Sequence, residues 1–259
     1  MKNSPNGPRN PLRTLLLASL LPGSLVARIP VAPVLGVVLA AGLAAAQAPA
    51  PPTAPQPAPA PQPPRFLVVL DAAHGGDDPG GHLGSQSEKT FTLALSVRLR
   101  SLLGARGIQV LTTRESDATL DLNRRAEIAN HANAQACLSL HASMTGSGIH
   151  VFAAAMAPAP ATRFAAWKTA QAAWVTRSLA LAGLINSTLQ QAGLTVTLGR
   201  TALPAVDSMT CPALAIEVAP DTSAGANRAD SFTDPAYQAR IAEALAAALL
   251  EWKTEAHQP

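Results

Sequence analysis

The chain predicts an α/β fold: one domain with a mostly parallel or mixed central sheet and helices on both faces. Three observations lead there. Apolar runs of about five residues alternate with stretches of helical periodicity. The alternation fills residues 65–255, roughly 190 residues, a comfortable size for one hydrophobic core. Three of the runs also end at a residue that can do chemistry, and in open α/β sheets sites gather beyond the carboxyl ends of strands.

Phe66 to Leu70 opens the domain as a buried strand. Phe91, Leu95, Leu99, Leu102 and Leu103 then recur at helical spacing, with Glu88 in the first turn and Gly104 and Gly107 at the exit. Ile108 to Thr112 is the second strand and Leu120 to Ala132 a short helix. Strands follow at Ala136 to Leu140 and Ile149 to Ala153, then a long alanine-rich helix from about Ala165 to Ala192. Thr195 to Leu198 reads as a short strand, Ala213 to Glu217 as a further strand, and Ala236 to Trp252 as the closing helix. No internal repeat is visible.

Two segments precede this domain. Residues 1–46 hold four basic residues, no acidic one, two long apolar runs and Ala44-Ala45-Ala46 before Gln47, the features of a signal peptide with an Ala-x-Ala cleavage site. Left uncleaved, the segment would be a membrane anchor, although Pro30, Pro33, Gly36 and Gly42 make Ile29 to Ala46 a poor spanning helix. Nine of the 18 residues from Gln47 to Pro64 are proline, so this stretch is expected to be a disordered, extended linker that reaches about 55 Å. Residues 256–259 are a short tail.

The formal charge of +3 suggests a nucleic-acid or acidic partner only until it is apportioned. Without the leader the chain has 15 Lys and Arg against 16 Asp and Glu, a net of −1. No nucleic acid partner is expected, and no membrane partner for the mature domain. Cys137 and Cys211 are compatible with one disulfide in an oxidising compartment, but both stand at the starts of buried strands, where a cysteine most often serves as a small core residue; the core reading is preferred, and the sequence leaves the bridge open.

The residues with chemistry are His74, after the first strand; Glu88, opening the first helix; His141, after Ala136 to Leu140; and Glu217, closing Ala213 to Glu217. Two strands that each lead into a histidine can aim both imidazoles at one point. A catalytic zinc takes three His or carboxylate ligands and keeps a fourth position for water, a set that His74, Glu88 and His141 supply. Glu217 is left as the acid that moves the water's proton. Glycines at 75, 76, 80, 81 and 84 allow close backbone approach between the first two candidates. His82, His131, His150 and His257 are read as ordinary loop, helix, strand and tail residues. Asp71 either orients a ligand histidine or simply ends its strand.

The ordered runs Val69-Leu70-Asp71-Ala72-Ala73-His74-Gly75-Gly76, Glu88-Lys89-Thr90, Leu111-Thr112-Thr113-Arg114, Leu122-Asn123-Arg124-Arg125 with Ala129-Asn130, Ser139-Leu140-His141-Ala142 and Ile216-Glu217-Val218 resemble the zinc N-acetylmuramoyl-L-alanine amidases of the amidase-3 type. The resemblance covers nearly all of residues 65–255. It implies a zinc amidase domain with one Zn2+ on His74, Glu88 and His141 and with Glu217 as the catalytic acid-base. The implied reaction is hydrolysis of the amide between the lactyl group of N-acetylmuramic acid and the L-alanine of the stem peptide in peptidoglycan. An exported monomer of the periplasm or cell envelope is expected.

The sequence departs from the family pattern at three places. Ala72-Ala73 replaces Pro-Gly, Ser143 replaces an Asn, and Ala219-Pro220 replaces Gly-Phe, so loop geometry and substrate preference are open. Two rival readings stay beside the first: a peptidoglycan-binding module of the same fold without turnover, and a zinc peptidase on a non-wall peptide. Some relatives carry an inhibitory helix whose carboxylate plugs the metal. Here Asp207 is the single acidic residue in 142–216, so no carboxylate of the Ala165 to Ala192 helix is expected at the metal.

Overall fold

A computed structural model describes residues 65–162, 166–221 and 231–256. The leader, the proline-rich linker, His257 and the rest of the tail lie outside the described residues, as does Ala165, where the long helix is expected to start.

Six strands form one sheet in the order β4-β1-β5-β8-β6-β7: β1 (Leu67–Ala72), β4 (Gln109–Thr112), β5 (Ala136–Ala142), β6 (Ile149–Ala154), β7 (Val196–Thr201) and β8 (Ala213–Val218). β4, β1, β5 and β8 run parallel, β6 runs antiparallel to β8, and β7 is parallel to β6. β1, β5 and β8 are buried along nearly their whole length, which is why they read as continuous apolar runs rather than alternating ones. A two-residue hairpin, β2 (His82–Leu83) with β3 (Gln86–Ser87), lies outside the sheet and is too short for any periodicity to announce.

Helices cover both faces. Phe91, Leu95, Leu99 and Leu103 of α1 (Glu88–Ala105) share one core with Leu181, Ile185 and Leu189 of α3 (Val175–Gln191) and Ile241, Leu245 and Leu249 of α4 (Pro235–Ala256). The other face is thinner: Ala126 and Ala129 of α2 (Leu122–Ala132) pack on Val69, Cys137, Ala213 and Ala215, with Val206 and Met209 alongside. From β1 the chain passes through α1 to β4 on one side, then returns through α2 to β5 on the other. The carboxyl ends of β1 and β5 therefore form the crevice where the strand order reverses, the place where such sheets bind ligands. No described helix is long and apolar enough to cross a membrane.

The expected long helix is broken. Its first part is a 3-10 segment, Trp167–Ala173, with Thr169 off the helical region, and the α-helix starts only at Val175. Gln171 lies within the interrupted stretch. It is fully buried, and its amide bonds Met209 O (2.9 Å), Cys211 O (3.0 Å) and the Ser178 hydroxyl.

The two cysteines also correct the expectation. Cys137 and Cys211 are bridged, with Cα atoms 6.2 Å apart. Cys137 pairs in register with Ala213, two residues after Cys211, so sheet pairing brings together thiols 74 residues apart. The bridge ties the start of β5 to the approach to β8. Replacing both cysteines by alanine should cost about 2–4 kcal/mol of unfolding free energy, given the long closed loop. Chemical denaturation of the two proteins checks this, and unchanged midpoints would contradict it.

Candidate metal centre

Immediately after β1 the backbone turns out of the sheet: His74 has φ 61 and Gly75 φ 133. A histidine in the left-handed region is held only where its surroundings over-determine it. Two buried arginines do that here. Arg125 donates to Ala72 O and His74 O, each at 2.7 Å, and Arg114 donates to Ala72 O at 2.9 Å and Ala73 O at 3.1 Å. The carbonyls of the turn are gripped from two sides, and the His74 imidazole swings back over the ends of β1 and β5.

Glu88 arrives from the first turn of α1 and His141 from the penultimate residue of β5. The Glu88 carboxylate, itself buried, lies 3.1 Å from His74 Nε2 and 3.0 Å from His141 Nδ1. It also accepts the amides of Gly81 (2.9 Å) and Ala142 (3.0 Å). One nitrogen from each histidine and one carboxylate oxygen thus lie within 4.8 Å of one another, an arrangement that can hold a metal ion. The far nitrogen of each ring is engaged as well: His74 Nδ1 lies 2.7 Å from Asp78 Oδ2, and His141 Nε2 lies 3.3 Å from Ser139 Oγ. Gly80 closes the centre, since a Cβ there would stand 2.6 Å from His74 Cδ2 and 2.7 Å from Glu88 Oε2.

The charges respond to this crowding. The hydrogen bond to Glu88 pushes His74 up to about 9 against the opposing effect of burial, with Asp78 adding to the rise. Burial by itself would raise Glu88, but hydrogen bonds from His141, His74 and the two amides outweigh it and hold the carboxyl well below the usual carboxylate range. His74 likewise lowers Asp78.

Glu217 stands beside this group and not in it. It is the register partner of His141 on β8, so the two side chains project from the same face of adjacent strands. It is half-buried, and its carboxylate makes no hydrogen bond or ion pair among the described residues. A cavity of about 360 Å³ opens on the α2 side, walled by His74, Asp78, Leu120, Arg125, Ser139 and His141. α3 supplies no residue to the cluster and packs into the core of the opposite face.

The structure brings together all three residues read from the sequence as ligands, with Glu217 adjacent. His82 is exposed on the hairpin, and His131 bonds the carbonyl of Glu127 on its own helix. His150 is more than a strand start: it is the register partner of Glu217 on β6, and its Nδ1 bonds the Thr197 hydroxyl. Sequence reasoning passed over Asp78 and quoted Ser139, Arg114 and Arg125 only within the family-like runs, with no role of their own. Ser139 had a signal, two residues before His141 and so on the same face of its strand. The arginines had no signal for this role, because most of their targets are backbone carbonyls and the rest, Asp71 and Thr92, lie far away in the chain.

Two outcomes follow from this geometry. Gly80→Ala should leave the fold cooperative but weaken metal binding at least tenfold in chelator competition, since the added methyl displaces two donors. A metal on His74 must also displace a proton held up to a pKa of about 9, so apparent affinity should fall roughly tenfold per pH unit as pH drops from 9 to 7. Titration calorimetry in buffers of different ionisation enthalpy would show the released proton, and pH-independent affinity over that range would mean that Glu88 and Asp78 do not hold the His74 proton up to pH 9.

The sequence model of the family described as N-acetylmuramoyl-L-alanine amidase, Amidase_3, matches residues 68–251. The sporulation-specific N-acetylmuramoyl-L-alanine amidase of Bacillus subtilis (strain 168) is 37% identical over 81 residues, 30% of this chain and 32% of its own. N-acetylmuramoyl-L-alanine amidase AmiA of Escherichia coli (strain K12) is 40% identical over 93 residues, 34% of this chain and 32% of its own. The chain thus spans about a third of the length of these curated relatives. The solved catalytic domain of CwlV, an N-acetylmuramoyl-L-alanine amidase from Bacillus (Paenibacillus) polymyxa var. colistinus, superposes with a TM-score of 0.58 at 26% identity, covering 73% of this chain and 98% of that one. With its match running from β1 into α4, well over half of its length, the chain belongs to the Amidase_3 family of N-acetylmuramoyl-L-alanine amidases.

Proposed function

We propose that the chain hydrolyses the amide between the lactyl group of N-acetylmuramic acid and L-alanine in peptidoglycan, using one zinc ion held by His74, Glu88 and His141. Two imidazole nitrogens and one carboxylate suit a zinc-type cation and leave room for a water. The Asp78 carboxylate behind His74 is the outer partner that metal-bound histidines usually have. When bound, the zinc supplies Lewis acidity that makes a water a nucleophile near neutral pH.

The observation that carries this reading is the contrast between the two glutamates. Glu88 is buried and surrounded by four donors, the setting of a ligand. Glu217, half-buried and unpaired among the described residues, stands beside His141 by strand register. Two carboxylates in such different environments take different roles. In this reading Glu217 accepts a proton from the attacking water and delivers it to the amide nitrogen as the C–N bond breaks. The products are a lactyl carboxylate on the glycan and a stem peptide with a new alanine amino terminus. Because the substrate is the cell wall, the reading includes export by residues 1–46 to the periplasm or cell envelope, with residues 47–64 as a tether.

Purified sacculi test this. The enzyme should release stem peptides with new alanine amino termini and create no reducing sugar ends, and a chelator should stop it. Glu217→Gln should keep the metal and lose about 10²- to 10⁴-fold in rate. His74→Ala and His141→Ala should lose metal and activity together. A Glu217→Gln variant that hydrolyses at the parental rate removes Glu217 from the mechanism.

A further inference from the structure

We propose that the rings of His150 and Phe152 form a shelf for the stem-peptide side of the scissile amide, so that the peptide leaves across β6 and β7. The inference rests on reading Glu217 as the acid-base and adds where the chain receives the leaving group.

Strand register lays out one row along the rim of the sheet. His141 on β5 pairs with Glu217 on β8, Glu217 with His150 on β6, and His150 with Thr197 on β7. Register partners project from the same face, and neighbouring strands lie about 4.8 Å apart. Phe152, two residues after His150, shares that face. The alternate residues Ile149, Val151 and Ala153 are buried in the core on the other side, the one that α3 covers. On the His150 side the row is open among the described residues: Thr197 is exposed, and Glu217, His150 and Phe152 are each partly exposed.

The two rings are held as a surface. They lie 26° from parallel with their centroids 6.3 Å apart, and His150 Nδ1 bonds the Thr197 hydroxyl. Two glycines make room for them. A Cβ on Gly199 would stand 2.8 Å from Phe152 Cδ1 and Cε1, and one on Gly146 would stand 2.3 Å from His150 Nε2. Flat ring faces with a polar edge suit a peptide, whose amide planes can lie against them.

The chemistry decides which half of the substrate lies here. Glu217 gives its proton to the amide nitrogen, so that nitrogen lies at Glu217 and the carbonyl carbon lies toward His74, Glu88 and His141. The C–N bond then points along the row from β5 to β8, and whatever the nitrogen carries continues onto β6 and β7. The acyl half falls on the opposite side, where the cavity beside α2 opens. An extended peptide advances about 3.3 Å per residue, so roughly three stem residues cover the two strand spacings from Glu217 to Thr197.

The full chain, labelled with 15N-histidine and titrated with a synthetic stem tripeptide beginning with L-alanine, gives the test without any turnover. The His150 ring resonances should shift to saturation while those of His131, on α2, stay in place. His150→Ala, and Gly199→Ala whose methyl pushes the Phe152 ring aside, should each weaken the peptide roughly tenfold and raise KM on soluble peptidoglycan fragments without a matching fall in kcat. Leu198→Ala, on β7 but facing the other side of the sheet, should keep parental affinity. The proposal is overturned if the peptide leaves the His150 resonances unmoved, if Leu198→Ala costs as much affinity as His150→Ala, or if a stem-free glycan strand moves those resonances and the peptide does not. A parent that leaves sacculi uncut defeats the functional reading instead, and the peptide titration still decides for or against the shelf.

Discussion

The buried ion pair between Arg125 and Asp71 is what the rest of the site depends on. Arg125 leaves α2 and reaches the end of β1, where it donates to Asp71, to Ala72 O and to His74 O. One guanidinium therefore joins the helix of the thinner face to the central strand, neutralises a carboxylate 2% exposed, and pins a turn whose histidine has φ 61. Such a pair adds little net stability, because both ions are stripped of water, but loss of one partner strands a charge in the core. Its value here is geometric. The planar fork of donors suits a carboxylate and two carbonyls at once, which a lysine could not match.

Around that anchor the structure uses its carboxylates in different ways. Asp71 lies at the end of β1 and organises other side chains. Asp78 bonds the far side of His74, and Glu88 lies between the two imidazoles. Glu217 has no partner among the described residues. His74 and Glu88 shift each other in opposite directions, the histidine upward and the glutamate downward. These are the contacts a cation would replace, so the centre is held together by the same groups that would bind the ion.

The pairing of β5 with β8 controls the second half of the site. In a parallel pair, a slip of one residue would send Glu217 to the opposite face and leave His141 without its neighbour. The disulfide between Cys137 and Cys211 ties the same two segments at their far end, near Cys137↔Ala213, while His141↔Glu217 stands at the end that carries the metal centre. The buried amide of Gln171 adds a second fastening, through the carbonyls of Met209 and Cys211. This part of the molecule gives up regular helix from Trp167 to Ala173 for bonds that hold the approach to β8.

By itself the sequence determined the α/β class, the order of the main elements, and His74, Glu88, His141 and Glu217 as residues to watch. Those features are local. An apolar run of five residues, a 3.6-residue period or a residue at the end of a run is set by neighbours in the chain. The tertiary structure alone decided that Cys137 meets Cys211, that His150 faces Glu217, that Ser139 and Asp71 stand behind His141, and that Arg114 and Arg125 hold the His74 turn. Each of these is a contact between segments far apart in the chain, or a bond to a backbone carbonyl that carries no residue identity. The physical reason is that strand order and register, not spacing along the chain, fix which side chains share a face.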